Sequence, residues 1–461
     1  MVQKYDLKKK TVILRTDFYT AHVSVYMSMK ILHTADWHLG ATFHGHNRTI
    51  EHRHFLDWLL ATLRERRPDA LLVAGDVFDT SNPPAAAEEL FYDFMTEATR
   101  AVPGLQVVVV AGNHDSGARM EAPARLLRGM GVYVRGLMPY VDDADEPDLD
   151  HLILPLAPLG QTEATCVCLA MPYLRAADCP QGLTQSEGLA FWFDRLHRCL
   201  KRTPFKGLPV VVAAHFYAAG AQICAGAHSE RLVVGGQDCV DPSVVGRDVS
   251  YTALGHLHRA QQVAGDPNVY YAGSALPMSF AEQAYQHGAW WVDLDNEGAA
   301  SVSRLAYEPL RHLLSIPSSP GRAATRQEVL DACAALPHRA KNDRGDDWPY
   351  LEIRLEEEQP EPELLHEVMQ LLSDRAVRFC RMERVRKAGG TVEELQPPTP
   401  EELRHDDPFD LAQSYYQQCY HADMPRPMSE RFDQARSRLS DASVAGEEKP
   451  SATAAVSSPM E

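Results

Sequence analysis

The chain has 461 residues, with 45 Lys plus Arg against 63 Asp plus Glu and a net charge of −18 when histidine is neutral. That balance argues against a protein built mainly to grip nucleic acid, since nonspecific affinity comes chiefly from neutralising phosphates with Lys and Arg. A hydrophobic content of 45% with 23% charged residues excludes disorder of the whole chain and fits a globular protein of two or three domains.

Residues 1–28 carry five Lys or Arg and two Asp with no sustained period. They read as an extension without an assigned role, and the folded unit is expected to begin near Met29. From Ile31 to about residue 300 one theme repeats. A short run rich in Val, Leu and Ala ends in an acidic or imidazole residue and is followed by glycine or a turn, as in KILHTADWH, DALLVAGDVFD, LQVVVVAGNHD, PVVVAAHF and YTALGHLH. Such continuous apolar runs predict strands buried on both faces. Helices are predicted between the early ones, over 49–66 and 84–101, the second opening on Pro83 and Pro84 as helices often do. The fold class is therefore α/β. Ligand sites in such sheets lie beyond the carboxyl ends of the strands, where all five runs deliver their polar residues.

After about residue 308 the order becomes strand (312–317), helix (325–336), strand (349–355), helix (361–373) and strand (377–385), a small α/β cap domain expected over 308–390 and distinct from the main domain at 29–307. Gly389-Gly390 and the sequence QPPTP (396–400) mark a linker, with helices following from Glu401 and Phe409 to about residue 440. Residues 441–461, rich in Ser, Ala, Pro and Glu, are expected to be disordered.

No stretch reaches the ~18–20 apolar residues that span a bilayer, and the start lacks the phases of a signal peptide. A cytoplasmic location without a membrane partner is expected. The nine cysteines are scattered and include no C-x-x-C pair, so reduced, structural thiols are expected. Cys166 and Cys168 should face one side of a strand, as packing.

The residues that close the apolar runs are Asp36 and His38, Asp76 and Asp79, Asn113 and His114, His215, and His256 and His258. A mixed oxygen and nitrogen set suits Mn²⁺, Fe²⁺, Zn²⁺ or Mg²⁺, and the lack of thiolates argues against structural zinc. Seven candidate ligands, the set without Asp79 and His114, exceed the needs of one ion, which points to two ions sharing a carboxylate. In D-x-H and H-x-H, residues two apart on extended backbone point the same way. In GNHD, Gly112 permits a tight turn and Asn113 supplies a neutral oxygen ligand, leaving His114 for proton transfer.

Taken in order, Asp36-Trp37-His38, Gly75-Asp76-Val77-Phe78-Asp79, Gly112-Asn113-His114-Asp115, His215 and Gly255-His256-Leu257-His258 resemble the signature of the calcineurin-like metallophosphoesterases. Each block alone is weak, but five in series, each ending an apolar strand, are specific. ILHTADWHLG, GDVFDTSNPP, VAGNHDS, MPYLRAAD, ALGHLHRAQ and YYAGSALPMSF extend the likeness to the SbcD family of bacterial nuclease subunits over about residues 29–300.

That resemblance implies a metallophosphoesterase β-sandwich flanked by helices. It also implies one metal on Asp36, His38, Asp76 and His258, and a second on Asp76, Asn113, His215 and His256, with Asp76 bridging and Mn²⁺ as the expected ion. His114 would protonate the leaving sugar oxygen, with the Asp79 carboxylate hydrogen-bonded to it. An SbcC-like coiled-coil ATPase would dock on the C-terminal helices, DNA would be the substrate, and the nuclease domain would form a homodimer.

Outside the series, His33, His44, His46, His52, His54, His151 and His228 read as structural or surface residues, although His44 and His46 follow the first ligands and could touch a phosphate. Arg175 and Arg259 are candidate phosphate contacts or counter-charges to the acidic site. Tyr217, Phe43 and Tyr173 could stack on bases, and Asp142 to Asp150 read as a solvated loop. Arg375, Arg378, Arg381, Arg384, Arg386 and Lys387 form the densest basic cluster, a DNA guide or an exposed cap edge. Phe409, Leu411, Tyr415, Tyr416 and Tyr420 give the last helices aromatic faces for a partner or for packing back on the cap.

The leading reading is a 3′ to 5′ double-strand exonuclease that also cuts single strands and hairpins, serving DNA repair, recombination and replication. A small-molecule or protein phosphoesterase is the alternative, disfavoured by Thr80 and Ser81 after Asp79, where protein phosphatases of this superfamily usually carry Arg. A non-catalytic scaffold is the third, disfavoured by seven intact ligand positions. The charge objection narrows by region, because residues 351–461 hold 23 acids against 13 bases, more than half of the acidic excess. Weak DNA affinity is expected of the isolated chain.

Overall fold

The computed structural model describes residues 28–139, 147–222, 239–356 and 363–385, with scattered positions between 407 and 433. The extension 1–27, most of the acidic run, the linker at 389–400, the tail 441–461 and His228, Arg386, Lys387, Leu411, Tyr415 and Tyr420 lie outside the described residues.

The chain opens with β1 (Met29–Thr34) and a small hairpin, β2 (Thr42–Phe43) and β3 (His46–Asn47), before β4 (Ala70–Ala74), β5 (Gln106–Val110) and β6 (Val132–Arg135). There follow β7 (Ile153–Leu156), β8 (Cys166–Ala170), β9 (Val210–His215), β10 (Val249–Gly255), β11 (Gln261–Gln262) and β12 (Val269–Tyr271). The last strands are β13 (Gly288–Leu294), β14 (Ala300–Ala306), β15 (Leu313–Ile316), β16 (Tyr350–Glu356) and β17 (Arg378–Val385). One six-stranded sheet has the order β14-β13-β1-β4-β5-β6 and the other β11-β12-β10-β9-β8-β7.

The strands predicted to be buried on both faces are so because the two sheets pack against each other and each carries helices outside. Ile31, Leu72, Val108 and Val110 of the first sheet share a core with Cys166, Cys168, Val211, Ala213 and Tyr251 of the second. Both cysteines lie in this core as packing groups, and burial pushes the Cys168 thiol up to about 12. On the outer face of the first sheet, helix Thr49–Arg66 contributes Phe55, Leu59 and Leu63, spaced by four and fully buried, and helix Ala85–Ala101 contributes Phe91, Phe94 and Met95. Helix Gln185–Leu200 covers the second sheet through Leu189, Trp192, Phe193 and Leu196. Thr184 caps it reciprocally, accepting from the Glu187 amide while the Glu187 carboxylate accepts from its own, the capping box. Complete burial of each of these apolar side chains contributes ~1.5–3 kcal/mol.

Within the first sheet β1, β4, β5 and β6 run parallel, and within the second β8, β9 and β10 do. Their carboxyl ends carry the residues singled out by sequence. Asp36 and Asp76 each follow their strand by two residues, Asn113 follows β5 by three, His215 ends β9, and His256 comes directly after β10.

The described chain forms two compact units. The first takes the residues up to Ser318 together with Leu336–Ile353 and Asp374–Arg381, the second Ser319–Ala335, Arg354–Ser373 and the residues from Met382. The residues expected as one cap, 308–390, are thus divided. Part of the reason is a buried polar cluster in the first unit, where Glu51 accepts from Tyr350 Oη (2.6 Å), Arg311 Nη1 (3.0 Å) and Arg48 Nη2 (2.9 Å). All four side chains are buried, so Arg311 and Tyr350 cannot leave without stranding charge. In the second unit, helices Arg326–Ala335 and Leu364–Leu372 are joined by Arg326 to Glu367, and the Phe409 and Phe432 rings meet edge to face at 5.7 Å.

Candidate metal centre

The D-x-H block does not use extended backbone. Asp36 and His38 have φ of 51° and 47°, Asp76 has 48° and His256 has 106°, left-handed conformations costing ~1–3 kcal/mol each that persist where surrounding structure over-determines them. The determining contacts are strand-to-turn hydrogen bonds. Asp36 N donates to Gly75 O and His38 N to Asp76 O, both at 3.0 Å. Trp37 between them is directed into the helix-covered core against Phe55 and Phe94.

Gly112 serves a purpose other than the tight turn expected of it. A Cβ there would lie 2.1 Å from Asp76 Oδ1 and 2.4 Å from its amide nitrogen, so glycine is required for the β5 turn to approach the β4 turn. Asp76 Oδ1 accepts from His114 N at 2.9 Å.

All seven expected ligands are brought together. Asp36 reaches across the two sheets to accept from His256 N at 2.9 Å. Asp76 Oδ2 lies 3.4 Å from His215 Nε2 and 3.9 Å from His38 Nε2. Asn113 Oδ1 lies 2.9 Å from His215 Nε2 and 3.1 Å from His256 Nδ1. His38 Nε2 and His258 Nε2 face each other at 3.2 Å. Two triads have ligand atoms within 4.8 Å of one another, His38 with Asp76 and His114, and Asp36 with Asp76 and His215. Asp76 is common to both, the geometry of a shared carboxylate.

The donors fit divalent cations in kind as well as in place. Burial holds His38 well below the ordinary imidazole value and His256 at about 3, so both are neutral, the form that coordinates metal. Burial pushes Asp36 up to about 7. Burial alone would also raise Asp76, but the charge and hydrogen bond of His215 hold it below the usual carboxylate range. Burial disfavours the His215 cation, yet Asp76 lifts it to about 9. Ring nitrogens opposed at 3.2 Å and buried carboxylates form a site that a cation would satisfy.

One expected contact is different. The His114 ring makes its hydrogen bond, Nδ1 at 2.7 Å, to the backbone carbonyl of Asp79, whereas the Asp79 carboxylate lies 3.6 Å from His38 Nδ1. The turn from Asp76 to Asp79 is anchored by Asp79 N to Leu39 O (3.1 Å), which sets the carbonyl rather than the side chain toward His114.

The substrate candidates divide. Arg175 Nη2 donates to Asp115 O at 2.8 Å, bracing the ligand turn. Arg259 is exposed and donates to Gln222. His44 is exposed beside Phe43 and Phe280, and Tyr217 packs on the core of the second sheet. Phe43 is buried, at 2% exposure, and so is not a stacking surface, while the Tyr173 ring stands 6.1 Å from that of His215. The basic cluster is turned inward in part, with Arg378 donating to Gly345 O and Arg381 to Glu352.

Two buried acids of the site escape a reading by sequence. Asp115 accepts from Gly112 N (2.8 Å), Phe78 N (2.9 Å) and Val77 N (3.2 Å), tying two ligand turns together. It closes the GNHD block, and that place beside GNH is the available signal. Glu282 has Oε1 at 3.2 Å from His258 Nδ1 and carries no motif of its own.

Comparison with known proteins agrees with this geometry. The calcineurin-like phosphoesterase family profile matches residues 29–260, and that of the "type 5 capsule protein repressor C-terminal domain" matches 309–420. The SbcD component of nuclease SbcCD from Rhodobacter capsulatus is 36% identical over 391 residues, 81% of this chain and 93% of that protein. Its namesake in Bacillus subtilis is 34% identical over 66% of this chain and 69% of its own length, and that of Escherichia coli K12 is 32% identical over 60% and 68%. The chain belongs to the calcineurin-like phosphoesterase family and, within it, to the SbcD group of SbcCD nucleases.

Proposed function

We propose that this chain is the nuclease subunit of an SbcCD-like complex, hydrolysing DNA phosphodiester bonds at a two-metal centre. The observation that carries this reading is the meeting of ligands from both sheets around Asp76, in a chain of the same group as the nucleases named above. One ion would be held by Asp36, His38, Asp76 and His258, the other by Asp76, Asn113, His215 and His256, with Mn²⁺ the proposed ion. When bound, such ions acidify a water and neutralise charge developing at phosphorus.

The chain's own groups supply the rest. A carbonyl only accepts, so the contact with Asp79 O places a proton on His114 Nδ1, and when the ring is protonated at Nε2 as well, that second proton is the one delivered to the departing sugar oxygen. The Asp79 carboxylate steadies His38. Arg175 and Asp115 hold the turn that carries Asn113 and His114. DNA is the proposed substrate, cut 3′ to 5′ from double-strand ends and internally in single strands and hairpins. An SbcC-like ATPase would dock on the C-terminal helices, the nuclease domain would dimerise, and the complex would work in the cytoplasm. No helix of the described residues is long and apolar enough to cross a membrane.

The test is to incubate the purified chain with Mn²⁺, with and without its ATPase, on a hairpin-ended duplex and on an aryl phosphate. Cleavage of DNA that is abolished by chelation supports the reading. Turnover of the aryl phosphate without cleavage of DNA under any condition removes it.

A further inference from the structure

The segment YYAGSALPMSF is distinctive in sequence, but none of its residues is a ligand. In the fold it leads directly into the short 3-10 turn Phe280–Glu282 and is fastened to two ligand turns at once. Ser274 N donates to His258 O and Ala275 N to Asp36 O, both at 3.1 Å. Gly273 has φ 76°, and a Cβ there would lie 2.7 Å from His258 O. Its far end is held by fully buried Arg48, whose Nη1 donates to Pro277 O at 2.6 Å.

At the end of this segment Glu282 is completely buried. Its Oε2 accepts from Met278 N at 2.8 Å, and its Oε1 accepts from Ser279 Oγ at 3.3 Å and lies 3.2 Å from His258 Nδ1. On the other side of the same ring, His258 Nε2 faces His38 Nε2. His215 also presents Nε2, but its Nδ1 is matched by a neutral carbonyl, Ala74 O at 2.9 Å. Asp36 Oδ1 stands farther from that nitrogen, at 4.0 Å, so of these two rings only His258 has a carboxylate within hydrogen-bond distance of its Nδ1.

We infer that Glu282 is a positioning residue for one of the two ions. By accepting the Nδ1 proton of His258 it fixes the tautomer that offers Nε2 to the metal, and its charge makes that ion's surroundings more electron-rich than those of the ion held by His215. A carboxylate behind a ligating histidine orients the ring and raises its basicity, and loss of such a partner typically lowers metal affinity ~10–100-fold. The two ions are thereby made unequal, and the one on Asp36, His38, Asp76 and His258 depends on Glu282. This rests on the two-metal reading proposed above.

The test measures Mn²⁺ binding to the full-length chain by titration calorimetry and by electron paramagnetic resonance, without substrate. Wild type should take up two ions, and Glu282→Gln should keep one at unchanged affinity while the other weakens about tenfold or more. Each protein compared with its own midpoint in chelator, the rise in thermal midpoint on adding Mn²⁺ should be smaller for Glu282→Gln than for wild type. Affinities for both ions in Glu282→Gln that equal those of wild type would overturn the inference while leaving the two-metal site standing. Failure of wild type to bind a second ion would overturn that site and the inference with it. Independently of any variant, nitrogen-15 spectra of wild type loaded with Mg²⁺ should show His258 protonated at Nδ1, and protonation at Nε2 would overturn the inference.

Discussion

The His114 ring hydrogen-bonds the backbone carbonyl of Asp79 at 2.7 Å, and the Asp79 carboxylate stands 3.6 Å from His38 instead. The two halves of one residue therefore serve different parts of the site. Replacing the side chain leaves the carbonyl, so Asp79→Ala should preserve the His114 contact and act through His38. We expect about a tenfold loss in Mn²⁺ affinity and a pH–rate profile at saturating metal whose shape is unchanged. His114→Gln should do the reverse, retaining both ions while lowering kcat by ~10²–10⁴-fold. Metal titration together with kcat against pH separates them, and a shifted profile for Asp79→Ala would show that the carboxylate, not the carbonyl, governs His114.

The second expectation concerns pH. Asp36 is lifted to about 7 by burial, and His215 to about 9 because Asp76 outweighs its burial. Both must be deprotonated to ligate, so below these values protons compete with the cation. Mn²⁺ affinity should rise between about pH 6 and 9, and binding at about pH 6 should release close to two protons. Calorimetry in buffers of different ionisation enthalpy counts them. For folding without metal the signs differ. The raised Asp36 favours the fold most fully below its unfolded value and loses that contribution as pH rises through about 7. The depressed Asp76 contributes above its unfolded value and loses this as pH falls.

The convergence of the candidate ligand blocks was legible because each lies at the end of an apolar strand, where strand order alone brings side chains to one locus. Their backbone was not. Alternation predicts extended geometry for Asp36 to His38, yet contacts with Gly75 and Asp76, both on a neighbouring strand's turn, force left-handed conformations. Gly112 likewise reads as a turn residue, and only the folded chain shows that Asp76 fills the space of its missing side chain. Glu282 lies 24 residues beyond its partner His258, so no local spacing announces it. The elements after residue 308 were legible from their periods, whereas their division between two units depends on Glu51, Arg311 and Tyr350, polar residues whose pairing across 260 and 299 positions leaves no pattern.

Arg175 offers a direct distinction between bracing and substrate binding. Its guanidinium donates to Asp115 O, so Arg175→Ala should cost about 1–2 kcal/mol of stability and lower kcat with little change in KM. Urea unfolding in chelator and steady-state kinetics on DNA measure the two. A rise in KM with unaltered stability would assign Arg175 to a phosphate. Asp115→Asn is the companion variant. It places an amide group against the buried donors Gly112 N, Phe78 N and Val77 N, and about 3 kcal/mol of destabilisation is expected.

The acidic balance of the chain yields the last expectation. Residues 351–461 carry 23 acids against 13 bases, and within the strongest basic cluster Arg381 is already paired with Glu352 while Arg378 is turned to a backbone carbonyl. Among the described residues of that cluster, Arg378 and Arg381 are thus already engaged within the protein, which leaves less of their charge to displace counterions from a duplex. The isolated chain should bind DNA only weakly in chelator, with a dissociation constant of ~1 μM or above at physiological salt. The two divalent ions proposed for the site would add four positive charges where phosphate must sit, so the affinity should tighten with a metal that supports binding without cleavage, such as Ca²⁺. Fluorescence anisotropy with a labelled hairpin duplex measures both states. Nanomolar binding in chelator would mean that a cationic surface outside the metal centre carries the contact, and the site would then be reading a substrate that other residues had already captured.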